Sequence, residues 1–218
     1  MDFFDLTDGP DNRTFAPGEV AGRAVRGLGG DDTVSGSGDD EDINGNLGND
    51  VIDGRGGNDT IRGGQQNDFL TGSDGNDLVN GNLGDDNVGG NAGDDIVRGG
   101  QGSDGLNGDD GNDFLYGDFG QDFLIGGGGD DVFVLRTDTA IANAALADQI
   151  LDFGQGGDLI GLTGGLTESG ISLVSGGGSL PFTAADTLIR IGTTGDFLGV
   201  VLNFTPGQLA GRFTSAPD

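Results

Sequence analysis

Twelve acids stand nine residues apart in this chain: Asp32, Glu41, Asp50, Asp59, Asp68, Asp77, Asp86, Asp95, Asp104, Asp113, Asp122 and Asp131. Carboxylates at a fixed interval can supply hard oxygens to a cation, work in pairs as general acid and base, or simply solvate a surface. The chain has no histidine and no cysteine, and all nine basic residues are arginine. That composition removes the usual nucleophilic triads, thiol nucleophiles, zinc-protease motifs and Schiff-base lysines. Outside the periodic acids only Glu168 stands apart from the pattern, as expected of a solvated loop residue, so no catalytic residue and no enzyme activity are expected.

The acids belong to a repeat. From Gly27 to Val134 the chain reads as twelve nonapeptides without insertion or deletion, 108 residues in all. The first position is glycine in every unit, and the fourth is glycine except at Asp39 and Gln66. The sixth is the acid, and the eighth is always apolar, from Val34 and Ile43 through Leu124 and Phe133. Glycine tolerates positive φ and close backbone approach, so the GxxGxD portion predicts a tight turn whose carbonyls converge. The three residues that follow, apolar only in the middle, predict a minimal strand. Turn plus strand is half a coil, and two units of nine predict one full turn of a parallel solenoid with coils about 4.8 Å apart. The expected fold class is all-β: an N-terminal tail and capping coil over 1–26, a β-roll over 27–134, and a β cap over 135–218.

Such stacking places like charges about one strand spacing apart, where they repel. A cation between them resolves the conflict, and carboxylates plus backbone carbonyls in a flexible turn suit Ca²⁺ rather than a metal that wants thiolate or imidazole. Composition agrees. A chain of 218 residues with 49 glycines and a net charge of −28 reads as disordered unless a ligand supplies the missing cohesion. The repeat itself holds 23 Asp and one Glu against three Arg. Two edges with five gaps each predict about ten calcium ions, nearly enough to cancel that charge. Without calcium the chain is expected to be largely unfolded.

The glycines and acids of residues 27–134 resemble the calcium-binding nonapeptide G-G-x-G-x-D-x-U-x of RTX proteins. The resemblance implies a parallel β-roll in which each calcium sits between stacked turns, held by two sixth-position acids and neighbouring loop carbonyls. The fourth-position carbonyls implied are those of Gly48, Gly57, Gly75, Gly84, Gly93, Gly102, Gly111, Gly120 and Gly129. Units 36–44 (Asp39, Glu41) and 63–71 (Gln66) depart from the pattern, and weaker or distorted sites are expected there. The segment 148–165 is similar to the closing segment of β-rolls in serralysin-type proteases, with Asp148, Asp152 and Asp158 as either one more ion site or turn-capping acids. The family also implies a bacterial, secreted protein exported by type I secretion through a C-terminal signal, in keeping with a start that lacks a basic and an apolar signal-peptide region.

The remaining sequence concerns ends and partners. Residues 18–26 keep the period with Val25 at the core position but Arg23 in place of the acid, as in a metal-free capping coil. Ahead of it Phe3, Phe4, Leu6 and Phe15 either fold back over the first coil or dock elsewhere. Downstream, 170–176, 186–192 and 196–204 read as three strands between Gly, Ser and Pro turns. Outward positions grow apolar towards the C-terminus (Phe69, Leu78, Ile96, Phe114, Tyr116, Phe123, Ile125), and cover by the C-terminal cap is the expectation. The absence of a basic patch argues against nucleic acid, and no apolar run of membrane-spanning length occurs. The fifth column alternates Asn and Asp, but without a threonine ladder an ice-binding face is not expected. The expected function is a calcium-folded secreted structural or adhesive protein, with itself (head to tail) or an anionic cell-surface polymer as partner. The alternative is a secretion and folding module associated with an extracellular enzyme.

Overall fold

A computed structural model describes residues 2–21, 23–136, 146–176, 185–192 and 194–216. The eighth-position residue of each unit turns inward and the residues either side of it turn out. The chain therefore winds into a thin two-sheet solenoid: β4 (Thr33–Ser35), β5 (Asp42–Leu47), β6 (Val51–Gly56), β7 (Thr60–Gln65), β8 (Phe69–Asp74), β9 (Leu78–Leu83), β10 (Asn87–Ala92), β11 (Ile96–Gln101), β12 (Gly105–Asp110), β13 (Phe114–Phe119), β14 (Phe123–Gly128) and β15 (Val132–Leu135). Even-numbered and odd-numbered strands fall on opposite sheets, and every neighbour within the roll is parallel with an offset of 18 residues, as Val88↔Leu106 and Val97↔Leu115 show. The eighth-position side chains fill the interior, none more than 2% exposed.

The strands differ from the three-residue segments expected. Those from β5 to β14 run six residues, through the third position of the next unit. A break occurs midway: the first-position glycine drops out of the register, and the second residue takes left-handed backbone, at φ +72° in Asn46, +75° in Asn82 and +80° in Asn91. Each of these strands thus bends midway. Left-handed backbone is rare for non-glycine residues in general, and Asn and Asp tolerate it best, yet Leu28, Arg55 and Ser73 adopt it here as well.

The coil continues beyond the repeat at both ends. β3 (Arg23–Arg26) places Val25 opposite Ile43, and β1 (Asp2–Asp5) stacks on β3, while β2 (Asn12–Thr14) stacks on β4. Phe15 is buried in the core with Phe4 and Leu6 packed against it, so these residues fold back over the first coil; Phe3 stays 46% exposed. At the other end β16 (Asp148–Ile150) and β17 (Leu159–Leu162) extend the two sheets in parallel, setting Ile150 on Leu124 and Ile160 on Phe133. The three expected C-terminal strands form β18 (Ile171–Ser175), β19 (Thr187–Ile191) and β20 (Phe197–Val201), an antiparallel trio joined to β16. A short helix, α1 (Pro206–Leu209), leads to β21 (Phe213–Ser215), which pairs with β17. This region extends the roll along its axis instead of covering its flanks. Phe69, Ile96, Phe114 and Phe123 consequently remain 38–52% exposed, against the expectation of cover, whereas Tyr116 is buried. No helix among the described residues is long and apolar enough to cross a membrane.

Candidate metal centre

The turns between strands carry the acids inward. All twelve sixth-position acids are buried, the most exposed being Glu41 at 6%. Acids of odd units form one axial row (Asp32, Asp50, Asp68, Asp86, Asp104, Asp122) and those of even units the other. Within a row one carboxylate oxygen is used in the same way each time: the backbone N–H of an acid donates to Oδ1 of the acid one coil on, at 2.8 Å for Asp86 to Asp104 and 2.7 Å for Asp77 to Asp95. The rows run past the repeat. Asp11 donates to Asp32, Asp122 to Asp148 and Asp131 to Asp158.

The second oxygen is different. Thirteen buried side-chain nitrogen and oxygen atoms among the described residues lack a hydrogen-bond partner, and eleven of them are Oδ2 of the repeat aspartates. Each lies over the α-carbon of the first-position glycine of its own unit, where a Cβ would collide with it. Several also share that space with a backbone carbonyl: Gly45 O beside Asp32, Gly63 O beside Asp50, Gly126 O beside Asp113. First-position glycine is therefore demanded by crowding of oxygens and not by positive φ. These first-position carbonyls were not singled out by sequence reasoning, although a glycine that recurs in every unit without needing left-handed backbone was the available signal.

The fourth-position residues form one axial line on each edge of the roll. The glycines among them have φ values from +107° to +150°, and each α-carbon faces the carbonyl of the fourth residue one coil back, as Gly75 faces Gly57 and Gly111 faces Gly93. The carbonyls of Gly48, Gly57, Gly75, Gly84, Gly93, Gly102, Gly111, Gly120 and Gly129 thus stand in the turns with the acids. No three carboxylates converge on one point among the described residues.

The two irregular units behave differently from each other. Glu41, one methylene longer, turns back on its own turn and accepts from the Ser37 N–H (2.9 Å) and the Ser37 hydroxyl (2.6 Å), so neither oxygen is left over. Asp39 accepts the Gly18 N–H and ties the N-terminal coil to the roll. In the other irregular unit Gln66 adopts φ +76° in place of glycine, yet Asp68 keeps the common geometry with its Oδ2 unpartnered. The C-terminal trio is split: Asp148 and Asp158 continue the two rows, while Asp152 accepts from the N–H groups of Gly126 and Gly127 at 2.9 Å.

Electrostatics follow from burial. Desolvation pushes Asp50, Asp113 and Asp131 up to about 6, Asp59, Asp68, Asp95 and Asp104 up to about 7, and Asp122 up to about 8. The N–H donated from the previous coil opposes this, and neighbouring carboxylates add to it. Asp32, Asp77 and Asp86 shift the same way, and Asp148 rises to about 7. None of the ion pairs between arginine and acid among the described residues involves a sixth-position acid. Buried carboxylates without proton, arginine or second hydrogen bond cost several kcal/mol each, about what an unpaired buried ion costs elsewhere. A hard cation that takes oxygens from carboxylates and carbonyls fits this vacancy in charge.

The sequence comparisons agree with that chemistry. A family model described as the RTX calcium-binding nonapeptide repeat (4 copies) matches residues 25–52, 35–70, 53–88, 71–106 and 98–133. Comparison with curated proteins returns no match. With matches running from residue 25 to residue 133, half of the chain, over the same turns that bury two rows of aspartates each with an unpartnered oxygen, this protein belongs to the RTX calcium-binding nonapeptide repeat family.

Proposed function

We propose that this chain is an extracellular scaffold that folds on calcium and serves a structural or adhesive role outside a bacterial cell. The observation that carries the reading is the set of eleven buried Oδ2 atoms without partners. Ions lie between successive coils of each row, about ten in all by the oxygen appetite of Ca²⁺. The sixth-position aspartates hold them, with carbonyls of first- and fourth-position glycines completing the sphere. Glu41 contributes least, because both of its oxygens are engaged by Ser37. Modules of this kind are loaded at extracellular calcium, roughly 10⁻⁴–10⁻³ M, and empty in cytosol. The chain thus stays unfolded inside the cell and folds once exported.

Head-to-tail assembly is part of the proposal. Among the described strands β1 and β21 end the ten-stranded sheet, each paired on one edge alone. Unlike edges of one sheet that meet between copies make a contact that does not close, hence a filament. Electron microscopy and sedimentation in millimolar calcium and in chelator test this. Calcium-dependent polymers support the assembling scaffold; folded, strictly monomeric protein in calcium leaves only a folding module.

A further inference from the structure

The two sheets carry different side chains on their outer faces. On the eleven-stranded sheet the third positions are small or acidic (Gly38, Gly56, Asp74, Ala92, Asp110, Gly128), and one arginine, Arg55, stands at a second position. On the ten-stranded sheet the ninth, second and third positions line a groove of about 830 Å³ that runs along the roll axis and includes Arg62, Arg98 and Arg136 together with Asp8 and Asp118, the latter paired with Arg98 and Arg136. A third of the nine arginines thus line one groove of a chain with charge −28.

The groove has a period. Its ninth-position column reads Asn44, Arg62, Asn80, Arg98 on successive strands, and its third-position column reads Leu47, Gln65, Leu83, Gln101, Phe119. Arginine thus occurs twice in the ninth-position column, two strands or about 10 Å apart, before Tyr116 and Val134 continue it, and an apolar side chain occurs three times at the same spacing in the third-position column. Leu47, Leu83 and Phe119 are 40–47% exposed. The guanidiniums are held in place: Arg62 on Asp42 at 2.6 Å, and Arg98 on Asp118 at 2.9 Å while stacked over the Tyr116 ring at 4.8 Å.

We infer that this groove binds an extended acidic polysaccharide along the roll axis. A linear glycan offers what the periodicity asks for: a straight chain, an anion once per disaccharide for an arginine, and a C–H face of the sugar ring for Leu or Phe. The intervening amides meet hydroxyls. A peptide strand adds to a sheet edge, whereas this groove crosses the strands. The inference rests on the calcium reading above, because the groove attracts an anion only once the acid rows are neutralised.

The test is titration calorimetry of the full chain in millimolar calcium with hyaluronan and oligogalacturonate hexasaccharides, and with a neutral cello-hexasaccharide, while circular dichroism monitors the roll. A uronate hexasaccharide is expected to bind, about tenfold or more tighter than the neutral one. Arg62→Gln with Arg98→Gln, and separately Leu83→Ser, are expected to weaken it about tenfold with the roll intact. A folded roll that binds no uronate oligosaccharide, or binds neutral and acidic ones alike, overturns the groove proposal and leaves calcium folding standing. A chain that does not fold in calcium overturns both.

Discussion

The same carboxylate does opposite things with and without a cation. In calcium, Asp104→Asn removes a charged oxygen from a buried site and is expected to cost about 1–3 kcal/mol, a fall of roughly 2–4 °C in Tm per kcal/mol for a chain of this size. In chelator the same change deletes a buried charge beside Asp86 and Asp122, so residual sheet content should rise. Thermal melts of the variant in both conditions decide the point, and a change of one sign in both would refute the metal-bridge account. Glu41→Gln is expected to leave the calcium stoichiometry unchanged, since the Ser37 contacts already engage both oxygens. Calorimetric stoichiometry beside that of Asp104→Asn checks this.

At the scale of the turn and strand, glycine has two distinct tasks, and substitution separates them. Gly108→Ala drives a Cβ into Asp113 Oδ2 and the Gly126 carbonyl, and is expected to destabilise by about 1–3 kcal/mol, as overpacking does. Gly105→Val fills open space on an outward strand position and should be neutral or stabilising by up to about 1 kcal/mol. Gln66→Gly relieves a left-handed non-glycine residue and should gain about 1 kcal/mol. Denaturation in saturating calcium ranks the three. The strand core and the acid rows were legible because one apolar residue and one acid per nine leave a parallel coil little choice. Strand length was not: the first-position glycines sit against an acid oxygen and, in several units, a carbonyl 18 residues on, contacts that no local pattern announces. The fifth column was equally opaque. Its side chains accept the N–H of the fifth residue one coil on, as Asn58 does from Asn76 at 2.9 Å, a satisfied turn in place of a surface ladder. Glu41 and Gln66 looked alike as departures from the repeat, and only side-chain reach distinguishes them.

For the whole molecule, burial and charge make stability depend on pH in opposite senses with and without metal. Without metal, folding raises many aspartates from the ordinary 3.8 to about 6–8. A raised carboxyl stabilises the fold below its unfolded value and loses that contribution as pH climbs through the folded one. The metal-free chain should therefore be most ordered near pH 4 and least above pH 8. With calcium the order reverses, because protons compete for the same oxygens, and calcium affinity should weaken as pH falls through about 8 to 6. Circular dichroism across pH in chelator and in calcium reads both slopes. The most direct measurement is far-ultraviolet circular dichroism at pH 8, with millimolar calcium and then with excess chelator. Full β-sheet signal in calcium and its loss in chelator are expected; equal sheet content in both would contradict a fold bridged by metal.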